Sequence, residues 1–219
     1  MKYKSFCTAI ILIFCNISLF PQSFTGGVKL GFNISQVDGD QRGGYSAIFP
    51  TGCIYAQTNF GENDRASLAL GISYIRKGSK QVTKNEFGDI TSIYAIRLDY
   101  VEMPLTFAWQ LEKFKIPRIV DYTFKNKFCV ELGVSYAYLI KAQINEGQGF
   151  IEPARAFFKY DCGFHLGLSY YIGEHFFINY RFAYTFFFLP IRKHPGGQTY
   201  RLNRGVYNNV MMLSAGWEF

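Results

Sequence analysis

The stretch that decides the fold is F-C-V-E-L-G-V-S-Y-A-Y, from Phe128 to Tyr138. Large apolar side chains occupy every second position of it. The residues between them are small or polar: Cys129, Glu131, Gly133, Ser135 and Ala137. Because successive side chains of a β-strand point to opposite faces, this alternation predicts a strand with one apolar face and one small, polar face.

Seven further segments repeat the pattern, at about residues 28–35, 45–56, 67–74, 94–109, 160–170, 176–185 and 211–219. Pro104 interrupts the fourth segment of the chain, where its missing N–H predicts a bulge or a local break. Pro50 weakens the second segment, whose predicted apolar face carries Tyr45, Ala47, Phe49, Cys53 and Tyr55. Eight strands of about nine to eleven residues match the requirement of a small transmembrane barrel.

The two faces of these strands differ in size, which separates a membrane barrel from a soluble one. A soluble lipocalin-like barrel turns long polar side chains outward and packs bulky apolar ones inside. Here the less apolar face consists mostly of glycine, serine and alanine. Such a face can fill the narrow interior of eight strands but cannot cover a protein in water. We therefore predict an all-β fold, a closed antiparallel up-and-down transmembrane β-barrel.

Charged and aromatic residues support the same orientation of the faces. The small face carries residues predicted to pair inside the barrel: Lys29, Glu102, Glu131, Asp161, His165, Arg181 and Glu218. The apolar face carries aromatic residues near strand ends, predicted to form belts at the membrane interfaces: Tyr74, Trp109, Tyr136, Tyr138, Tyr170, Tyr184 and Trp217.

The first residues of the chain differ in kind from the rest. Lys2 and Lys4 precede an almost unbroken apolar run, Phe6–Phe20. About fifteen apolar residues is short for a spanning helix and matches the core of a secretory signal, with an N-terminal membrane anchor as the alternative. The predicted organisation is a signal peptide over 1–22 and an outer-membrane barrel domain over 23–219.

Composition excludes several classes of function. The formal net charge of +7 falls to about +5 once the signal peptide is removed, and the basic residues are too scattered to predict a nucleic-acid partner. The cysteines of the mature chain are isolated, so neither a disulfide framework nor a metal site is predicted from Cys53, Cys129 and Cys162. The chain contains no phosphate loop, nucleotide fingerprint or redox motif, and no cofactor is predicted.

An even number of strands returns both termini to the periplasmic side. The segments predicted to face outward are Gln36–Gly44, Arg76–Ser92, Lys141–Phe157 and Phe187–Tyr207. The segments predicted to face the periplasm are Gln57–Arg65, Gln110–Lys127 and Tyr171–His175. The length of the middle periplasmic connection departs from the usual rule of long outer loops and short inner turns.

A resemblance to a known family rests on four segments and on a final amphipathic strand that ends with Phe219; the segments are Gly27–Asn33, Gly71–Gly78, Leu98–Leu105 and Val130–Gly133. This resemblance is to the PorT family of outer-membrane β-barrel proteins from Bacteroidetes-type bacteria. It implies a small barrel in the outer membrane of a Gram-negative cell, with no family-wide catalytic residues. The founding member is tied to type IX protein secretion.

These observations favour a structural or interaction role in the cell envelope over catalysis. The partners expected are outer-membrane lipid and lipopolysaccharide, with envelope or secretion-system proteins as further candidates. The fourth outer loop is basic through Arg192–His194 and Arg201–Arg204 and could contact lipopolysaccharide phosphate, although an ordinary solvated loop is the simpler interpretation. Alternatives are an accessory subunit of a type IX-like secretion system, a small pore, or a soluble lipocalin-like ligand binder.

An outer-membrane enzyme is the competing hypothesis, and its candidate residues are Asp161, His165 and Ser169. All three lie on one parity of a single strand, whereas a nucleophile and its base normally approach from different elements. We therefore interpret His165 as a hydrogen-bonded luminal histidine. His175 and His194 lack partners at metal-ligand spacing. No catalytic, cofactor-binding or metal-binding residue is predicted.

Overall fold

The computed structural model describes residues 24–40, 44–115, 123–154, 156–193 and 205–219. These residues form ten strands: β1 Phe24–Asp38, β2 Ala47–Phe60, β3 Ala66–Lys84, β4 Ile90–Lys115, β5 Thr123–Asn145, β6 Phe150–Ile151, β7 Tyr160–Ile172, β8 Phe176–Thr185, β9 Arg192–Lys193 and β10 Gly205–Glu218. A short 3₁₀ turn, Glu62–Asp64, joins β2 to β3. Among the described residues, no helix is long and apolar enough to cross a membrane.

Eight of the strands close into a ring, which confirms the predicted barrel. The order is β1-β2-β3-β4-β5-β7-β8-β10, and β10 pairs again with β1. Every neighbour is antiparallel, and the closing seam runs from the Gly27–Glu218 pair to the Asp38–Tyr207 pair. The short strands β6 and β9 pair with β5 and β10. We name the end of the barrel near Phe24 and Phe219 the terminal end, and the opposite end the far end.

The outer surface of the ring is apolar, as predicted. The exposed side chains of this band are Leu30, Phe32, Ile54, Leu68, Leu70, Ile72, Val101, Met103, Leu105, Phe107, Val130, Leu132, Val134, Leu166, Leu168, Ile178 and Leu213. Trp109 and Trp217 lie on this surface toward the terminal end, and Tyr74 and Tyr138 toward the far end. An apolar band between aromatic belts is the surface that a bilayer requires.

The prediction for β2 is wrong, because the strand faces the other way. Ile48 and Ile54 are exposed to the outside, whereas Tyr55 points inward and its hydroxyl donates to Glu218. Both faces of this segment carry large apolar residues, so alternation alone could not orient it. The interior has room for the tyrosine because Gly27 lies against the ring, where any Cβ would overlap it.

Three strands extend well beyond their predicted ends. β3 and β4 include most of the predicted outer loop Arg76–Ser92, and β5 includes the start of the predicted loop Lys141–Phe157. At the terminal end, β4 and β5 also extend into Gln110–Lys127, part of which lies outside the described residues. Outside the bilayer the outward side chains face water, so the apolar alternation ends while the hydrogen-bonded ladder continues.

The remaining turns agree with their predicted places. Tyr171–His175 contains the turn between β7 and β8, where Gly173 adopts a positive φ of 88°. Gln57–Arg65 contains the turn between β2 and β3. Gln36–Gly44 and Phe187–Tyr207 fall at the far end, as expected for outer loops, although each includes residues outside the described part of the chain.

Pro104 produces a local break in the sheet without a bulge. The ladder between β3 and β4 contains the pairs Leu70–Leu105 and Ser73–Glu102, but not the two pairs between them, and the register is unchanged. A Cβ at Gly71 would lie 3.3 Å from Cγ of Pro104, so a glycine is accommodated beside the proline ring. The missing N–H explains the lost pairing, as predicted.

A second interruption lies between β2 and β3 at the far end. Their ladder ends at the Thr51–Ile75 pair, next to Pro50, although both strands continue. Beyond that pair, side chains of β1 take over the hydrogen bonds of the β3 backbone. Asn33 Nδ2 donates to Arg76 O at 2.8 Å, and Ser35 Oγ donates to Gly78 O at 2.9 Å. The upper part of β3 therefore separates from β2 and approaches the inner face of β1.

The far end of the interior is filled by an apolar core. Its larger members are Val37, Ile75, Ile96, Leu98, Tyr100, Leu139, Ile144, Phe157, Ile191, Val206 and Val210. Phe157 and Ile191 come from connecting segments that are held together there, since the Phe158 amide donates to Ile191 O at 2.7 Å. The connections thus pack into the mouth of the barrel.

Candidate functional site

The barrel interior holds a first polar cluster around Glu131, which we name the Glu131 cluster. Its carboxylate accepts hydrogen bonds from Ser169 Oγ at 2.6 Å, Asn179 Nδ2 at 2.9 Å and Arg181 Nη2 at 2.9 Å. Lys29 Nζ lies 3.5 Å from the same carboxylate. Strands β1, β5, β7 and β8 each contribute to the cluster, so it ties opposite walls of the ring together. One carboxylate here neutralises part of the charge of two buried cations.

A second cluster, the Lys77 cluster, lies closer to the far end. Lys77 Nζ is 2.7 Å from Glu102 Oε2 and 3.0 Å from Asp161 Oδ2. Asp161 also accepts hydrogen bonds from Thr185 Oγ1 and Asn208 Nδ2, both at 2.8 Å. Here one cation serves two carboxylates, the reverse of the arrangement at Glu131. Together the two clusters contain three cations and three carboxylates, so the formal charges of this interior balance.

Lys77 falls within the predicted outer loop Arg76–Ser92, and its interior role is not among the predictions from the sequence. The signal that could have found it is the continued alternation of Ser73, Ile75, Lys77 and Ser79, which all lie on the buried face of β3. Of the other predicted interior charges, Glu131 and Arg181 are buried and Lys29 is half-buried, and these three are paired with one another as expected. Buried charges are stable only when they are paired and hydrogen-bonded, so this pairing is required for the fold.

His165 lies between the two clusters. Its Nε2 is 2.9 Å from Thr106 Oγ1, across the interior on β4. The ring fits because position 133 on the neighbouring strand is a glycine, since any Cβ there would overlap the imidazole. The interpretation of His165 as a hydrogen-bonded luminal histidine therefore agrees with the structure.

The three residues of the enzyme hypothesis are not brought together. Asp161, His165 and Ser169 follow one another at intervals of four residues along β7. Because a strand rises about 3.3 Å per residue, neighbours in this series are about 13 Å apart. Each bonds to a different partner: Asp161 to Lys77, His165 to Thr106 and Ser169 to Glu131. They do not form the hydrogen-bonded chain of a nucleophile and its base.

Two small voids lie beside the clusters in the described part of the chain. A void of about 30 Å³ lies beside Lys29, Glu102 and Arg181, and one of about 10 Å³ beside Lys77 and Asp161. A single water needs about 10–15 Å³ measured in this way, so these voids hold a few waters at most. Ion-paired side chains thus occupy the cross-section of the barrel at the level of the described strands.

The terminal end of the interior is polar and open. Glu218 Oε1 accepts hydrogen bonds from Tyr55 at 2.9 Å and from Tyr171 at 3.0 Å. Glu218 and Tyr171 line a recess of about 310 Å³, together with Arg65 and Gln110. Cys129 also lines this recess, and Cys53, Cys129 and Cys162 are free thiols.

The far end presents a hairpin, formed by the extended ends of β3 and β4 over Lys80–Ile93. Its turn is held by Asn85, whose Oδ1 accepts hydrogen bonds from the amides of Phe87 and Asp89 at 3.0 and 2.8 Å. Gly88 completes the turn with a positive φ of 87°. Phe87 is 89% exposed at the tip. An ordered turn thus presents a single large aromatic side chain to the outside.

The basic outer loop is only partly described. Arg192 belongs to β9 and its guanidinium lies 4.6 Å from the centre of the Phe157 ring, so it packs against the far-end core. Lys193 is exposed, while His194 and Arg201–Arg204 lie outside the described residues. The structure thus assigns Arg192 a packing contact that the sequence did not predict.

Comparisons with known proteins give one family match and several similar solved structures. Residues 20–187 match the family described as outer membrane protein beta-barrel domain. A comparison with curated proteins gave no match. Among solved structures, Ail of Yersinia pestis in complex with a heparin analogue is similar, with 13% identity and a TM-score of 0.45 over 90% of this chain and 99% of Ail.

Two further solved structures show the same likeness. Neisserial surface protein A is 11% identical, with a TM-score of 0.39 over 90% of this chain and 99% of its own. OprG of Pseudomonas aeruginosa is 13% identical, with a TM-score of 0.36 over 90% of this chain and 97% of its own. Since the family match covers most of the sequence, the chain belongs to the outer-membrane protein β-barrel domain family.

Proposed function

We propose that this outer-membrane barrel is a non-conducting scaffold with an interaction role in the cell envelope, acting through its far end. The observation that carries the proposal is the ion-paired interior. The Glu131 and Lys77 clusters connect opposite walls, and the voids beside them hold a few waters at most. A barrel filled by its own side chains leaves its external surfaces as the working part.

The far-end hairpin is the surface that best fits an interaction role. Phe87 is exposed at its tip, and Val82 and Ile90 are exposed on its strands. Exposed aromatic residues on ordered backbone are typical anchors of protein interfaces, because little conformational freedom is lost on binding. We infer that the hairpin docks against another envelope protein.

Site-specific photo-cross-linking in cells tests this inference. With a benzophenone amino acid at Phe87, we expect a discrete protein adduct after irradiation. The matched control carries the same group at Leu132, which is exposed on the lipid-facing band. Asn85→Ala, which removes both side-chain bonds of the turn, should reduce the Phe87 adduct severalfold. Identical products from Phe87 and Leu132 would refute the docking role.

The pore alternative is tested on the same protein in planar bilayers. We expect no steady unit conductance from the folded wild-type barrel. Open channels of uniform size would contradict the scaffold proposal, whatever the cross-linking shows.

The PorT resemblance supports a narrower hypothesis within this proposal, an accessory role in protein secretion of the type IX kind. If that hypothesis is correct, the adduct at Phe87 contains a component of the secretion machinery. If the adduct contains a protein of another envelope system, the interaction role is supported and the secretion role is excluded.

We also propose that residues 1–22 are a signal peptide that is removed on export. This segment lies outside the described residues, and the support comes from its basic start and short apolar core. The intact mass of the protein from purified outer membranes is expected to correspond to a chain that starts near Ser23. A mass that includes Phe6–Phe20 would indicate the membrane-anchor alternative.

A further inference from the structure

The separation of β2 from β3 creates a cavity in the outer wall at the far end. It measures about 470 Å³, within the range of about 300–1,000 Å³ found for ligand pockets. Its walls are the start of β2, around Ile48 and Phe49, and the short strand β6, through Phe150. Its floor is β4, through Ile93 to Arg97. Without the separation, β2 would pair with β3 here and leave no space.

One side of the cavity is apolar. Ile48, Phe49 and Ile93 line it, together with the buried residues Ala95 and Ile96. Ile96 is fully buried and belongs to the far-end core, so the cavity reaches through the gap to the interior packing. An acyl chain bound here would be shielded from water on several sides. The free energy of this burial is favourable in proportion to the apolar area that is removed from water.

The other side of the cavity is cationic. Lys80 and Arg97 line it, and the guanidinium of Arg97 lies 3.7 Å from the centre of the Phe150 ring. Ring stacking orients the guanidinium but leaves its charge unneutralised. Among the described residues, neither Lys80 nor Arg97 forms an ion pair with a carboxylate. An anionic group would therefore find two cations beside the apolar pocket.

The cavity opens to the side, close to the membrane surface. Val101 and its partner Tyr74 belong to the far-end edge of the apolar band. Arg97 lies four residues further along β4, a distance of about 13 Å along the strand and less in height because barrel strands are tilted. This level corresponds to the lipid headgroups and the water next to them.

We propose that this cavity binds a single-chain anionic amphiphile, with its acyl chain against Ile48, Ile93 and Ala95 and its carboxylate or phosphate at Lys80 and Arg97. The site is separate from the hairpin tip and does not depend on the interaction role. The molecule can come from the surrounding medium or from membrane lipid, since both offer the same chemistry.

Photoaffinity labelling of the full protein in zwitterionic nanodiscs tests the proposal. The first probe is a diazirine-bearing palmitate, and the second is the matching alcohol, which lacks the charge. Mass spectrometry should locate palmitate adducts on β2 around Ile48 and on β4 around Ala95. The alcohol is expected to label these segments about tenfold less. Equal labelling by both probes would show that Lys80 and Arg97 do not bind the anionic group and would overturn the proposal of an anionic ligand.

Two variants and matched controls make the test specific. Ala95→Trp should abolish the adducts by filling the pocket, and the Lys80→Gln, Arg97→Gln variant should reduce them about three- to tenfold, the effect of two half-exposed charge contacts. The controls are Ala56→Trp on the lipid-facing side of β2 and Lys141→Gln, an exposed far-end cation. Labelling that is unchanged by both pocket variants would overturn the proposal.

The source of the ligand is distinguished in a further arm. Nanodiscs that contain a diazirine-bearing anionic lysophospholipid, without added palmitate, report on membrane lipid. Labelling by this lipid at the pocket identifies the bilayer as a source, and labelling by palmitate alone identifies a free fatty acid. The residues Lys80 and Arg97 lie near the surface, so the variant that replaces both is expected to fold. This variant still tests the proposal if Ala95→Trp fails to show the migration shift of a folded barrel.

Discussion

Glu131→Gln is expected to lower the stability of the barrel by about 3–5 kcal/mol, because it leaves Lys29 and Arg181 buried without their shared carboxylate. Glutamine keeps the size of the side chain and an oxygen that can accept from Ser169 and Asn179. The effect should therefore come from charge. The measurement is the urea midpoint of the form that migrates as a folded barrel without boiling.

The matched control for this substitution is Glu152→Gln, at an exposed position of the connection that follows β6. We expect its midpoint to equal that of the wild type. Adding Arg181→Met to Glu131→Gln should restore part of the loss, since one of the two unpaired cations is then removed. If Glu131→Gln behaves as Glu152→Gln does, the cluster does not hold the walls together.

Lys77→Met is expected to lower the stability of the barrel by a comparable amount, about 3–5 kcal/mol, because it removes a cation and not a carboxylate. Lys77 is the cation between Glu102 and Asp161, and without it two buried carboxylates face each other unpaired. Asp161 would keep its bonds from Thr185 and Asn208, which compensate only in part. The same urea midpoint measures the loss.

Two further variants separate charge from packing at this position. Lys141→Met removes an exposed cation from β5 and should leave the midpoint unchanged. Adding Asp161→Asn to Lys77→Met removes one of the unpaired carboxylates and should recover stability. A double variant that is less stable than Lys77→Met alone would show that the Lys77 cluster acts through shape and not through charge.

The membrane-facing part of the barrel could be predicted because lipid and the narrow interior impose opposite demands on alternate residues. In β5, Val130, Leu132 and Val134 face lipid while Glu131 and Gly133 face inward, so the pattern leaves one solution. In β2 the sequence does not show which face meets lipid and which faces the interior. Tyr55 and Ile54 are both large and apolar, and the room for the tyrosine depends on Gly27 in the neighbouring strand.

The partners of the interior charges could not be predicted, because they depend on how far each strand is shifted against the next. Lys29 meets Glu131 across the barrel, 102 residues away along the chain. Ile140 illustrates the difficulty, since the register between β4 and β5 shifts there. Between Ile140 and the terminal end, the odd-numbered residues of β5 face inward. Between Ile140 and the far end, the even-numbered residues Ala142 and Ile144 face inward instead. Side-chain type alone does not reveal such a bulge.

The seam between β1 and β10 joins the two most distant strands of the described chain. Local hairpins such as β3–β4 can form as soon as their residues are available, whereas the seam requires every intervening strand to be in place. Contacts between residues far apart in the sequence form slowly, because the chain loses conformational entropy before the new contacts contribute any stabilising free energy. Until the seam closes, β1 and β10 each have an unpaired edge that can join another chain. The assembling protein is therefore most prone to aggregation just before its last step, and a factor that shelters these two edges would raise the yield of folded barrel.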